Sequence, residues 1–237
     1  VLPKLQQLTH LDLGDCLTDC FAAAPAVYSA LTANSKLTYL DIQCTTGPRE
    51  AWGHLFPAGH TLPQLQRLHL IDALEEPLLW SSPEGLSQRQ LQEVVETCPN
   101  LQHLQCALQP YVSPAALLQL RGLVGLAIQG VSNEDVDIAL VRMTALQELH
   151  ILAGSKVNDV GLMPLTALTQ LTQLGLHHQA PDLPHQALSA GFRRAYSGLA
   201  TRDGEELVLM DSANPKVRPR IDTRQDQGTH QQHLSRS

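Results

Sequence analysis

Eleven histidines, five cysteines and a scatter of carboxylates are the residues of this 237-residue chain with chemistry to offer. The cysteines stand at 16, 20, 44, 98 and 106. Cys16 and Cys20 have a spacing that a metal could use, but no second matching pair follows, and two partly buried thiols is the simpler reading. An odd number at irregular spacing does not make a secreted disulfide framework, so reduced cysteines of an intracellular, cytoplasmic protein are expected. The sequence also holds no Asn-x-Ser/Thr sequon. Catalysis finds no foothold. There is no G-x-S-x-G, no G-x-x-x-x-G-K-[ST], no G-x-G-x-x-G and no H-E-x-x-H. The acid pairs Glu75-Glu76 and Glu205-Glu206 have no identifiable catalytic partner. The expectation is a non-enzyme with no cofactor and no metal.

The composition narrows the classes further. Apolar residues make up 43% of the chain but aromatics only 4%, so leucine must carry the packing. A net charge of −7 argues against a nucleic-acid binder, which needs a basic face. No run of about 18 apolar residues is present, so no membrane span is expected. The chain begins at Val1 with neither Met nor a secretory leader, and it reads as a piece of a longer protein.

What could position any chemistry is a repeat. The pattern L-x-x-L-x-L occurs as Leu8-Leu11-Leu13, Leu37-Leu40-Ile42, Leu65-Leu68-Leu70 and Leu101-Leu104-Cys106. It continues as Leu123-Leu126-Ile128, Leu146-Leu149-Ile151 and Leu171-Leu174-Leu176. Three residues before each start stands Leu5, Asn34, Leu62, Cys98, Leu120, Met143 or Leu168, all but one apolar. Each unit reads as a short strand and a return segment, neither able to bury its apolar side alone, so the units must stack.

These residues resemble the leucine-rich repeats over roughly residues 2–179. The resemblance implies an α/β fold: a right-handed solenoid, or horseshoe, of about seven repeats, with a parallel concave sheet and helical or irregular returns. The opening Leu8-Thr9-His10-Leu11-Asp12-Leu13-Gly14-Asp15-Cys16-Leu17-Thr18-Asp19 resembles the cysteine-containing subtype found in F-box proteins. Val157-Asn158-Asp159-Val160-Gly161-Leu162 and Cys98-Pro99-Asn100-Leu101 resemble other parts of that subtype's unit. The ninth position departs from it, being Cys only at Cys16 among the seven repeats.

The returns carry their own signals. Leu91, Val94, Val95 and Cys98 fall on one face of a helix over 86–98. Ser113-Pro114 opens a helix with an N-cap and a first-turn proline, and Ser132 with Glu134 and Asp135 opens another over 133–143. Residues 18–31 can hold a helix interrupted by Pro25. Segment 47–61, with Gly47, Pro48, Pro57 and Gly59, predicts irregular structure. Residues 74–83 read as a loop insertion, and Trp52 is expected to pack locally near Phe56. Residues 180–211 read as a C-terminal cap or irregular segment. The polar, net-basic stretch 212–237 reads as disordered.

In such a strand the leucines face the core and the alternate residues face the concave side. This makes His10, Asp12, Tyr39, Asp41, Arg67, His69, His103, Gln105, Glu148 and His150 the candidate partner-binding residues. Tyr39 and Arg67 belong to types favoured at binding hot spots. Asp41 and His69 are expected as cross-strand neighbours, but a nearly flat sheet does not supply the convergent geometry of a metal site. Trp80, beside Leu78 and Leu79, is a possible contact from the insertion. The resemblance implies a protein partner and a non-catalytic interaction module, like the substrate-recognition repeats of F-box ubiquitin-ligase adaptors. The alternatives are a scaffold solenoid of the cytoskeleton or ciliary axoneme, or a ribonuclease-inhibitor-like binder.

Overall fold

The computed structural model describes residues 7–13, 34–42, 49–57, 59–70, 85–152 and 154–176. Each described repeat opens into a strand at the place where the leucine pattern puts it. These are β1 (His10–Asp12), β2 (Tyr39–Asp41), β3 (Arg67–His69), β4 (His103–Ala107), β5 (Gly125–Gln129), β6 (Glu148–Ile151) and β7 (Gln173–Leu176). They form one sheet in chain order, every neighbouring pair parallel.

One hydrogen-bonding device repeats at each strand entrance. The Thr9 carbonyl accepts from the N–H groups of both Thr38 and Tyr39, and the Thr38 carbonyl from those of Gln66 and Arg67. The carbonyls of Gln66, Gln102, Val124 and Gln147 do the same for the strand that comes after each. The shared position three residues upstream also has a local cause. From the second unit on, the first leucine donates its N–H back to that residue's carbonyl, as Leu65 to Leu62, Leu101 to Cys98 and Leu146 to Met143. A buried apolar side chain therefore anchors the turn that feeds the strand. At Asn34 the apolar anchor is missing, and the Asn34 amide instead donates to the Leu8 carbonyl at 2.7 Å, tying its turn to the preceding repeat.

The strand leucines Leu40, Leu68, Leu104, Leu126, Leu149 and Leu174 are buried, and so are Leu37, Leu65, Leu101, Leu123, Leu146 and Leu171 one turn earlier. The two columns run through a continuous apolar core. Leu8, Leu11 and Leu13 are only half-buried.

The return segments differ among themselves. Helix α1 (Arg49–Leu55) corrects the expectation of irregular structure over 47–61. Pro57 follows that helix rather than breaking it, and Leu55 and Phe56 supply its buried contacts. Trp52 does pack on Phe56, ring centroids 4.6 Å apart, and its indole N–H donates to Glu93 at 2.8 Å. Helix α2 (Gln88–Thr97) buries Leu91, Val94 and Val95, with Ser87 and Gln90 forming a reciprocal capping box.

Ser113 caps as expected, but the helix it opens, Pro114–Gln119, is wound as a 3₁₀ helix. The span over 133–143 divides into α3 (Asn133–Ile138) and a 3₁₀ turn, Leu140–Arg142. Helix α4 (Asp159–Leu162) likewise passes into a 3₁₀ helix, Met163–Ala167. Short, tightly wound returns suit repeats only 22 to 25 residues long, where a full α-helix leaves too little chain to regain the sheet. The expected elements at 18–31, 74–83, 180–211 and 212–237 lie outside the described residues.

Tyr111 has φ 71° and a fully exposed side chain. Non-glycine residues pay roughly 1–2 kcal/mol for this left-handed conformation. Tyr111→Gly is expected to raise stability by about 0.5–1 kcal/mol, after allowing for the freer unfolded chain, as a higher midpoint in urea unfolding.

Candidate interaction surface on the open sheet face

The strand register sets the surface. His10, Tyr39, Arg67, His103, Gly125, Glu148 and Gln173 stand side by side in one column. Asp12, Asp41, His69, Gln105, Ala127, His150 and Gly175 stand in the next. All ten candidates on the strands thus share one face, in the order their spacing predicts. His10, Asp12 and Arg67 are exposed, while Tyr39, His69, His103, Gln105, Glu148 and His150 are half-buried. Trp80 lies outside the described residues.

Asp41 departs from the expected pattern. It sits on the sheet face opposite the strand leucines, yet it is only 4% exposed. Its neighbours cover it. The Tyr39 hydroxyl donates to Asp41 Oδ2 at 3.1 Å, and His69 Nδ1 lies 3.1 Å from the same oxygen. Tyr39 and His69 also meet edge to face, centroids 5.3 Å apart, with the hydroxyl 3.4 Å from Nδ1. On the other side His10 stacks on Tyr39 at 3.9 Å with the rings 8° from parallel. Three strands therefore contribute to one ordered cluster, with the exposed guanidinium of Arg67 at its border.

Burial pushes the Tyr39 phenol up to about 12, helped by the Asp41 charge, the hydrogen bond to it and the more distant Asp12, and opposed by Arg67. The folded chain thus holds this proton more tightly than the unfolded one does. Its contribution is complete below pH 10 and is lost as pH rises from 10 to about 12. In Tyr39→Phe that part of the alkaline loss of stability is expected to vanish, as read from urea midpoints across this range.

The C-terminal half of the surface is built differently. His103 is held below the usual histidine range by burial and then by Arg67 and His69, with Glu148 opposing. Burial does the same to His150, again against Glu148. The Gln173 amide meets His150 Nε2 at 3.2 Å. Among the described residues no group of three or more His, Cys, Asp or Glu side chains could hold a metal ion. Cys98 and Cys106 are free and buried, and burial pushes both thiols up to about 12, which makes them poor nucleophiles.

No family model matches this chain, and no curated protein matches it. Among solved structures it is similar to internalin C2 from Listeria monocytogenes, at 18% identity over 81% of this chain and 80% of that one, with a TM-score of 0.39. A second is an internalin, inlF, from the same organism, at 14% identity over 65% and 66%, with a TM-score of 0.24. The chain's own stack decides the architecture. Its fold is a leucine-rich repeat solenoid.

Two features are not legible in the sequence. One is the burial of Asp41, which depends on Tyr39 and His69 closing over it. The other is the role of Gly125 and Gly175, which lie beside His103 and His150 only once the strand register is known. The one signal for the latter is a glycine one repeat after a histidine at the same strand position.

Proposed function

We propose that this chain is a non-catalytic protein–protein interaction module whose concave sheet face grips a protein partner. The observation that carries this reading is the ordered cluster of His10, Tyr39, Asp41 and His69 beside the exposed Arg67. A tyrosine already fixed by a stack and a hydrogen bond loses little freedom on binding, and tyrosine and arginine recur at the centres of protein interfaces.

Within this reading, the chain is a target-recognition solenoid of the F-box adaptor type, working inside the cell. Its cysteine-type repeat signature supports this, because the signature's parts behave as units of one design. Val157 is buried while Asn158 caps α4, and Val131 is buried while Ser132 caps α3. Cys98 is buried at the turn that opens its repeat, and Asn100 donates to the Pro63 carbonyl of the preceding one.

Affinity capture with the wild-type chain, Arg67→Ala and Arg142→Ala tests the proposal. Arg142 is an exposed arginine on a return segment. Arg67→Ala is expected to weaken the captured partner's binding by about 1–2 kcal/mol, roughly 5–30-fold, with unchanged thermal stability. Arg142→Ala is expected to bind like wild type. Equal binding by all three variants contradicts the concave-face reading. Recovery of cytoskeletal proteins without a ligase adaptor contradicts the F-box reading alone.

A further inference from the structure

The described strands carry four histidines on the sheet face opposite the leucines, and each ring is placed by its neighbour. His10 lies on Tyr39 of the next strand, and His69 turns back to Asp41 of the previous one. His103 and His150 have neither choice. Their next-strand neighbours are Gly125 and Gly175, and both rings occupy the space where a side chain would stand. A Cβ added to Gly125 would lie 2.2 Å from His103 Nδ1, 3.0 Å from Cε1 and 3.2 Å from Cγ. At Gly175 the corresponding distances to His150 are 2.2, 2.9 and 3.1 Å. The two pairs lie in different columns and on different strands, so the same contact has been built twice.

We propose that Gly125 and Gly175 are positioning residues: by carrying no side chain, each lets the imidazole of the preceding strand lie over it, and the two seated rings form a proton-switched floor in the C-terminal half of the concave face. A ring over a glycine exchanges water for backbone on one side, which disfavours the imidazolium. At His150 a second cause acts. With the Gln173 amide donating to Nε2, protonation at that nitrogen sets two donors against each other. The groups facing His103 are Arg67 and His69 on β3 and Glu148 on β6, and the first two oppose a further positive charge. Glu148 on the same strand is the charge facing His150, and it favours protonation. Seated rings therefore keep this floor neutral, while acid lifts them into water and adds two positive charges between Arg67 and Gln173.

The test is a pH titration of the imidazole nitrogens by long-range ¹H–¹⁵N NMR in the full chain, with Gly125→Ala and Gly175→Ala beside wild type. In wild type both His103 and His150 are expected to titrate below 6.5. Gly175→Ala is expected to move His150 up toward that value and leave His103 in place, and Gly125→Ala to do the reverse. An alanine that leaves its own histidine unmoved, or shifts both rings alike, overturns the proposal.

A double-mutant cycle separates seating from backbone damage. Gly175→Ala is expected to lower the urea midpoint in the wild-type background but not with His150→Ala. An equal loss in both backgrounds places the glycine's role in the backbone and overturns the proposal as well.

Discussion

Leu149→Ala is expected to cost the solenoid roughly 2–5 kcal/mol, the usual range for emptying a fully buried leucine site. Leu149 is 0% exposed and pairs in register with Leu126 and Leu174. The sheet on both sides is hydrogen-bonded and cannot easily collapse into the gap. The loss has a second effect peculiar to stacked repeats, where each unit is held only by its neighbours. A defect at β6 weakens the link between β5 and β7, so the urea transition is expected to broaden as well as move. Arg67→Ala is the contrasting variant, because an exposed side chain away from the core changes stability by no more than about 0.5 kcal/mol. Circular dichroism through urea unfolding reads both variants. Similar losses in the two would contradict the assignment of inward and outward faces.

The second large effect is expected from His69→Ala, at about 2–3 kcal/mol. Asp41 is a buried carboxylate, and His69 is one of the groups that cover it and meet its Oδ2. Removing the imidazole takes away that contact and admits water beside a carboxylate seated for a dry, hydrogen-bonded site. His69→Gln tests the cause, since its amide N–H can reach toward the same oxygen and is expected to recover part of the loss. Tyr39 belongs to the same cluster, so Tyr39→Ala lowers stability as well as binding, unlike Arg67→Ala. Of the two hot-spot candidates, Tyr39 is thus tied into a cluster while Arg67 is an exposed side chain.

Most of the fold was legible because leucine spacing reports on the strand and its core directly. A residue that must be buried in every repeat leaves the same mark in every repeat, and the seven strands fall where those marks are. The register came from aligning the marks, which is why Asp41 and His69 were expected side by side. The returns were less legible. Pro48 and Gly53 obscured α1, while the Ser113 cap identified the start of Pro114–Gln119 without revealing that it would wind as a 3₁₀ helix. Helix type there depends on how much chain remains before the next strand, a property of the stack and not of local propensity.

Within the site, the column order was legible but the choice of partner by each side chain was not. Tyr39 could have stood upright in solvent; it is held over Asp41 because His10 and His69 flank it on either side. His103 and His150 lie down because the next strand offers them a glycine.

A photo-crosslinking residue placed at position 67, with a matching one at position 142, tests most directly whether the concave face is where partners bind. In cells expressing the full chain, position 67 is expected to capture a discrete protein that position 142 does not. Capture from position 142 with none from position 67 would show that the returns, and not the concave sheet, form the working surface.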